Sequence, residues 1–554
     1  MKQLFFLFLI LCIGTSCKES VLLEKVGAKE PAYFDWGAAN VYFLLTDRFN
    51  NADTSNDNII KRNKETGKLR DFKGGDFAGI IQKIDDGYFT DLGVNVIWLT
   101  PIWEQIHGRV DEGTGFTYAF HGYWAKDWTA VEPSYGTMKE FKTLVDKAHQ
   151  KDIRILLDVV INHTGPVTDQ DLLWPEEWVR TGPSCTYQDQ STAVTCTLTN
   201  NLPDIKTEGT EEVELPEALV KKWKKEGRYD QEVKELEVFF ATSGLKRTPA
   251  NYMIKWVTDY ARETGVDGFR IDTVKHVEES IWATFNKQAK LAYEEWKRNN
   301  PEKVIHKDAF FIIGELYGYA AVNGRPYGFS SGTVDYFDVG YDAMINFGFK
   351  NHASQDYKTL FKKYDSIRKN MLTEKPGHPA YFMNYISSHD DGQPFDPSRE
   401  KAMESATKLL LTSGMSQIYY GDEIARSLAI DGTEGDATLR SVMDWKNLNQ
   451  EVLTHWQVLG RFRNKHKSVG AGEHFSLEHK GEGTLAARFY NKNNQEDIVL
   501  IGAGLPNGLL EIEVEKVFPK TSRLRNAYTI KKIPVVNGKV TVMVKNGVVL
   551  LEKL

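Results

Sequence analysis

Positive charge is in deficit in this sequence, cysteine is scarce, and no apolar run near the N-terminus is long enough to cross a bilayer. The 554 residues hold 69 Lys and Arg against 76 Asp and Glu, a formal charge of -7. That leaves no basic field to hold nucleic acid or an anionic membrane. Only four cysteines occur. Two of them, Cys185 and Cys196, do not have the spacing of a four-ligand zinc site. No internal repeat and no low-complexity tract is visible. What is present is an ordinary globular composition, 41% hydrophobic and 26% charged. The length exceeds one compact domain, so two or three are expected. The 13 Trp, 24 Tyr and 29 Phe suit core packing. They equally suit the stacking of pyranose C–H faces.

The first residues read as an address. Lys2 precedes an apolar run from Leu4 to Ile13, then Gly14, Thr15, Ser16 and Cys17. The run is too short for a membrane span and has the layout of a secretory signal. Small residues directly before a cysteine resemble a bacterial lipoprotein signal over 1–17, with Cys17 as the lipidated first residue of the mature chain. The alternative is an ordinary signal peptide, and both imply export. The expected location is the periplasm, or the outer membrane or cell surface of a Gram-negative bacterium, with membrane contact only through the lipid and a monomeric chain. Cys185 and Cys196 remain after processing and read as a local disulfide in an oxidising compartment, or else as two free thiols.

From Val41 onward a short apolar strand, a polar loop and an amphipathic helix recur. The expected strands are Val41–Thr46, Val94–Thr100, Arg154–Ile161, Gly268–Asp272, Phe310–Glu315, Val334–Val339, Phe382–Ser387 and Gln417–Tyr420. Eight such units predict an α/β fold with a closed parallel (β/α)8 TIM barrel. One helix is expected to start at Thr248-Pro249 and to stop at Gly265, with Met253, Trp256, Val257 and Tyr260 on one face. The stretch after the third strand is too long for a βα loop, so 163–247 is expected to be an inserted subdomain. A tether over 18–38 precedes the barrel halves 39–162 and 248–460. Short β-like runs over 461–554, among them Leu485–Tyr490, Asp497–Ile501 and Lys539–Lys545, predict a C-terminal β-sandwich.

Four charged clusters fall at strand ends, which converge on one mouth of such a barrel. They are Asp158-Val-Val-Ile-Asn162-His163, Gly268-Phe-Arg270-Ile-Asp272-Thr-Val-Lys275-His276, Gly314-Glu315 and Ser388-His389-Asp390. One cluster alone could merely solvate a strand end; four at strands three, four, five and seven point to a site. A retaining glycosidase needs one carboxylate at the sugar C1 and one carboxylic acid for the leaving oxygen. The apolar approach Phe310 to Ile313 and nearby negative charge would keep Glu315 protonated, and Arg270 would keep Asp272 ionised.

These clusters resemble the signature regions of the α-amylase family of retaining glycoside hydrolases (family 13), over roughly residues 40 to 450. The resemblance implies that Asp272 is the nucleophile, Glu315 the general acid/base, and Asp390 the carboxylate that fixes the sugar at subsite −1. It implies hydrogen-bonding roles there for Arg270, His163 and His389. The loop His121-Gly-Tyr123-Trp124 would place the Tyr123 ring under that sugar, and Lys275 and His276 would reach subsites +1 and +2. Segments such as Leu202-Pro-Asp204-Ile-Lys-Thr-Glu208 and Asp342-Ala-Met-Ile-Asn-Phe look like periplasmic α-amylases of Gram-negative bacteria. Gly74-Gly-Asp76-Phe-Ala-Gly-Ile also resembles cyclodextrin glucanotransferases.

Calcium is implied by the same resemblance. Asn162, Asp204 and the carbonyl of His276 match a structural Ca²⁺ site between barrel and insert, and oxygen donors from distant segments suit that ion. Asn51, Asp53, Asn56 and Asp57, with Gly74 and Asp76, resemble a calcium loop of the glucanotransferases, or else form a metal-free polar loop. The expected activity is hydrolysis of α-1,4-glucosidic bonds in starch, maltodextrins or related α-glucans. The alternatives are a cyclomaltodextrinase or neopullulanase-like hydrolase, an α-glucanotransferase, and a glycan-binding lipoprotein without catalysis. The last is opposed by the intact Asp272, Glu315 and Asp390.

Overall fold

The computed structural model describes residues 33–554 except Asn493. The expected leader with Cys17, and the tether as far as residue 32, lie outside the described residues. The end of the expected tether is core: Trp36 is buried and stacks on Phe311 at 3.9 Å between centroids. Among the described residues no helix is long and apolar enough to cross a membrane.

Eight parallel strands close a barrel. They are β1 (Asn40–Leu44), β2 (Val96–Leu99), β3 (Arg154–Val159), β4 (Gly268–Ile271), β5 (Phe311–Gly314), β6 (Ala343–Asn346), β7 (Tyr381–Tyr385) and β8 (Met415–Tyr419). Each pairs with its sequence neighbours, and β8 returns to β1 through Asn40↔Ser416 and Val41↔Gln417. Runs such as Val96-Ile-Trp-Leu are buried at every position. That is the pattern of a parallel strand covered on both faces, by helices outside and by barrel side chains within. The helix Pro249–Thr264 stops at Gly265, whose φ of 74° closes it in the left-handed conformation. Thr248 stands at its N-cap, but its side chain makes no capping hydrogen bond.

Seven of the eight strands fall where the sequence placed them, and the sixth does not. Residues 334–339, expected as a strand, form the end of a small hairpin and a 3-10 turn over Tyr336–Val339. Asp335 accepts from the Phe337 amide, and Arg325 pairs with Asp335 and Asp338. These local bonds win over the β propensity of Tyr, Phe and Val. The barrel strand is instead the fully buried Ala343–Asn346, which pairs with β5 and β7.

Between β3 and β4 the chain makes an excursion containing the helices Glu217–Glu226 and Tyr229–Ser243. Aromatic packing ties it to the barrel. Trp178 stacks on Trp256 of the helix Pro249–Thr264, with Trp174 and Trp223 edge-on to the pair. Cys185 and Cys196 are joined as a disulfide within it.

The helix Gln450–Lys465 runs across the boundary expected at 460, and the all-β region begins at Glu473. Its strands are β9 (Glu473–Leu477), β10 (Thr484–Lys492), β11 (Gln495–Ala503), β12 (Gly508–Glu513), β13 (Arg523–Asn526), β14 (Lys531–Pro534), β15 (Lys539–Val544) and β16 (Val549–Lys553). Six form one antiparallel sheet in the order β9-β10-β11-β16-β13-β14, and β12 pairs with β15. Leu500, Ile512, Leu524 and Val542 place both sheets around one hydrophobic cluster. Two buried arginines, Arg463 of the helix Gln450–Lys465 and Arg488 of β10, converge on the C-terminal end of the helix Ala402–Leu411, where carbonyls have no intrahelical partner, and Arg488 thereby joins this region to the barrel. Arg463 donates to the carbonyls of Leu410, Thr412 and Gly414, and Arg488 of β10 donates to that of Leu411 and to the Ser413 hydroxyl.

Candidate active site

Parallel register builds the acidic centre. Arg270 of β4 is level with Asp158 of β3 and Ile313 of β5. Positions two apart on a strand share a face. The first residues beyond β4 and β5, Asp272 and Glu315, therefore stand level on neighbouring strands. Adjacent strands lie about 4.8 Å apart, close to the roughly 5 Å separation of the two carboxyl groups in retaining glycosidases.

Arg270 is 1% exposed and binds two carboxylates with one nitrogen. Its Nη1 lies 2.7 Å from Asp272 Oδ1 and 2.9 Å from Asp158 Oδ1. Asp158 also accepts from Tyr123 Oη at 2.8 Å and Trp98 Nε1 at 3.0 Å. Burial raises Asp158, with Arg270 opposing the rise and Asp272 adding to it. Glu315 is different. Burial first, then the charge of Asp272, push its pKa up to about 8. Its Oε2 accepts from the Thr273 amide at 2.9 Å. Thr273 has φ 52°, and this left-handed turn directly after Asp272 accompanies the bond to Glu315. Strain of this kind collects at functional sites.

The third carboxylate arrives from the loop after β7. Asp390 accepts from Ser388 Oγ at 2.9 Å, and its side chain remains 38% accessible at the mouth. Burial of the surroundings raises its pKa, but His389, Arg270 and Ser388 together outweigh that and lower it. The His389 ring stacks on Tyr123 at 5.2 Å, and Arg440 Nε holds the His389 carbonyl at 3.0 Å. Burial lowers His389 to about 4 and also lowers His163 and His121. At neutral pH these rings are therefore uncharged hydrogen-bonding groups. His163 Nε2 meets the Tyr123 carbonyl at 3.2 Å, and His121 Nδ1 accepts from the Tyr123 amide at 3.0 Å. Trp124 packs with Ile106, Ala119 and Leu202 and sets its ring edge-on to His121.

Lys275 and His276 sit on the turn Val274–His276, beyond β4. Lys275 lies among the rings of Tyr187, Tyr317 and Tyr327. Its pKa is lowered by burial, with Glu315 pulling the other way. His276 Nδ1 contacts the Ala193 carbonyl at 2.7 Å, and burial lowers its pKa to about 4. Sequence reading did not assign Trp98 or the three tyrosines. Trp98 carried a usable signal, because its burial on β2 puts it one strand from Asp158. The tyrosines come from two segments far apart in sequence, the excursion after β3 and the stretch between β5 and β6, and carried none.

The two oxygen-rich clusters are also assembled. Asn162 and Asp204 meet where the Ile205 amide donates to the Asn162 carbonyl at 2.8 Å. Asn162 Oδ1 is buried with no donor among the described residues. Burial pushes Asp204 up to about 9; Arg180, 2.9 Å from its Oδ2, opposes this, while Glu208 and Glu278 add to it. A donorless buried oxygen beside a buried carboxyl is a donor set that fits a hard cation. In the second cluster Asp76 accepts from the Asp53 amide at 2.7 Å, and Asn51 Nδ2 donates to Asp57 at 2.9 Å. Asn56 Oδ1 is likewise buried with no donor among the described residues. Gly74, at φ 84°, faces this loop so closely that a Cβ would collide with Asn51 and Asp57.

Residues 43–451 match the family described as alpha amylase, catalytic domain. The chain is 32% identical over 543 residues to a periplasmic alpha-amylase of Escherichia coli (strain K12), covering 87% of this chain and 75% of that protein. It is 24% identical over 469 residues to a cyclomaltodextrin glucanotransferase of Geobacillus stearothermophilus, covering 83% of this chain and 58% of the relative. In fold it is similar to the crystal structure of an Anoxybacillus alpha-amylase, with a TM-score of 0.66 at 23% identity, covering 94% of this chain and 99% of that one.

Proposed function

The chain belongs to the α-amylase family, and on that premise we propose that it is an exported enzyme that cleaves α-1,4-glucosidic bonds of starch and maltodextrins with retention, using Asp272 and Glu315. One observation carries the assignment of roles: two carboxyl groups stand level on adjacent strands in opposed surroundings. Asp272 is held by Arg270, whereas Glu315 is buried and carries its proton at neutral pH. Paired acids with divergent environments mark the nucleophile and the general acid.

In this reading Asp272 attacks C1 of the sugar at subsite −1 while Glu315 passes its proton to the glycosidic oxygen. The new C1–O bond joins sugar to Asp272, and the bond to the leaving chain breaks. Glu315, now ionised, takes a proton from water; the hydroxide attacks C1 and frees Asp272. Asp390 accepts from sugar hydroxyls and His389 donates to them, with His163 a further hydrogen-bonding partner at the same sugar. Tyr123, locked by its bond to Asp158, supplies the flat face beneath the ring. Purified protein should release reducing sugar from soluble starch as a mixture of maltooligosaccharides. Starch binding without reducing sugar would overturn the assignment. Products longer than a maltoheptaose substrate would mark the enzyme as mainly a transferase, the activity named for the relative from Geobacillus stearothermophilus.

The two oxygen clusters are read as Ca²⁺ sites, one held by Asn162, Asp204 and the His276 carbonyl, the other by the 51–57 loop with Gly74 and Asp76. The ion's part would be structural, pinning the excursion after β3 against β4 and bracing the loop beside the barrel. Removing a ligand that binds only the folded state lowers stability. EGTA should therefore lower the melting temperature, by roughly 5 °C for sites near saturation. An unchanged melting curve would remove calcium from the account. Export is supported by the periplasmic relative and by the disulfide. The lipid on Cys17, which would hold a monomer at the membrane, is the finer part of this reading.

A further inference from the structure

The loop closed by Cys185 and Cys196 packs on the turn Val274–His276, just beyond the nucleophile, and it presents one ring there. Tyr187 is 50% exposed although aromatic, and its backbone has φ 57°. A tyrosine held in the left-handed region is an uncommon conformation that surrounding structure must enforce. The enforcement is visible. The disulfide ties the two ends of the loop. The Ala193 carbonyl inside it meets His276 Nδ1 at 2.7 Å, and the Tyr187 ring stands edge-on to His276 at 5.8 Å.

Across the same opening stands a second exposed ring, Tyr317, two residues beyond Glu315 and 59% exposed. Lys275 Nζ sits between them, 5.1 Å from the Tyr187 centroid, 5.3 Å from Tyr317 and 5.9 Å from Tyr327. Tyr327 donates to the Tyr317 carbonyl at 3.0 Å, which fixes the far wall. Lys275 interacts electrostatically with Glu315. The rings therefore flank the space into which the leaving portion of the glucan departs.

We propose that Tyr187 is a specificity-determining residue on the leaving-group side, and that the Cys185–Cys196 disulfide is the device that positions it. The ligand chemistry is the apolar face of a glucose unit downstream of the scissile bond, received by a ring that the loop holds outward. This rests on the hydrolytic reading above and adds to it a cause for chain-length preference.

The test compares two substrates in each variant: maltoheptaose, which places sugars beyond the cleavage point, and an aryl α-maltotrioside, whose leaving group is a phenol. The readout is the ratio of their kcat/KM values, which cancels effects on the nucleophile Asp272; an alkaline limb of the maltoheptaose rate at the wild-type position in each variant shows that Glu315 is unchanged. Y187A should lower the maltoheptaose-to-aryl ratio about tenfold, the scale of one lost ring contact. Y187F keeps the ring and should retain the wild-type ratio. C185S/C196S keeps the ring but frees its support, and should shift the ratio in the same direction as Y187A. An unchanged ratio in Y187A, or a wild-type ratio in C185S/C196S with the melting temperature confirming a folded protein, overturns the proposal. Failure of wild-type protein to cleave either substrate would instead strike the hydrolytic reading on which it stands.

Discussion

Asp272→Asn removes turnover of α-1,4-glucans, by at least about 10⁴-fold in kcat/KM, and leaves the protein folded. The amide is close to the carboxylate in size and still offers Arg270 an oxygen to bind. Arg270 also keeps both oxygens of Asp158, so the buried guanidinium is not stranded. What disappears is the negative oxygen that bonds to C1. A melting temperature near that of the wild type, together with loss of reducing-sugar release, is the expected pair of results. Activity near the wild-type level would refute the nucleophile assignment and pass the role to another carboxylate, of which Asp390 is the nearest by chemistry.

Glu315→Gln should be the second largest loss, and its size should depend on the leaving group. General acid catalysis contributes about 10²–10⁴-fold when the departing oxygen is a sugar hydroxyl, and little when it is the oxygen of an acidic phenol. Starch cleavage should fall by that factor, and release of a dinitrophenol from an activated maltoside should fall far less. The pH dependence has a definite sign. Glu315 is raised to about 8 by burial and by Asp272, and it must be protonated to act as the acid. The rate on starch therefore holds up to about pH 8 and declines above it as the proton is lost. In the glutamine variant this alkaline limb, measured on the activated substrate, is absent. Persistence of the limb there would mean that another group titrates, and Glu315 would lose its role.

Much of this was legible in the sequence because parallel barrels write their sites at strand ends. Arg270 and Asp272, two apart, announced a shared face, and the structure puts both on one ion-pair network. Gly265 announced the end of a helix whose core face was already periodic. The sixth strand was not legible. Val334–Val339 has the richer β composition, yet Asp335 and Asp338 bind locally and turn it, while the plain Ala-Met-Ile-Asn is the strand because both its neighbours need a partner there. The tyrosines around Lys275 were beyond reach for a different reason. Residues 187, 317 and 327 have no periodic relation to one another, and only tertiary closure makes them a set.

The paired guanidinium groups at the end of the helix Ala402–Leu411 bear on how the chain could be divided. A shorter protein ending before β10 would withdraw Arg488 from the Leu411 oxygen and the Ser413 hydroxyl, and would strip from the barrel core the apolar cover of Ala486, Val499, Ile501 and Leu550. The terminal sheets are thus a closing plug for the catalytic cylinder, so domain shuffling within this architecture would have to carry the cylinder and its plug as one inheritance.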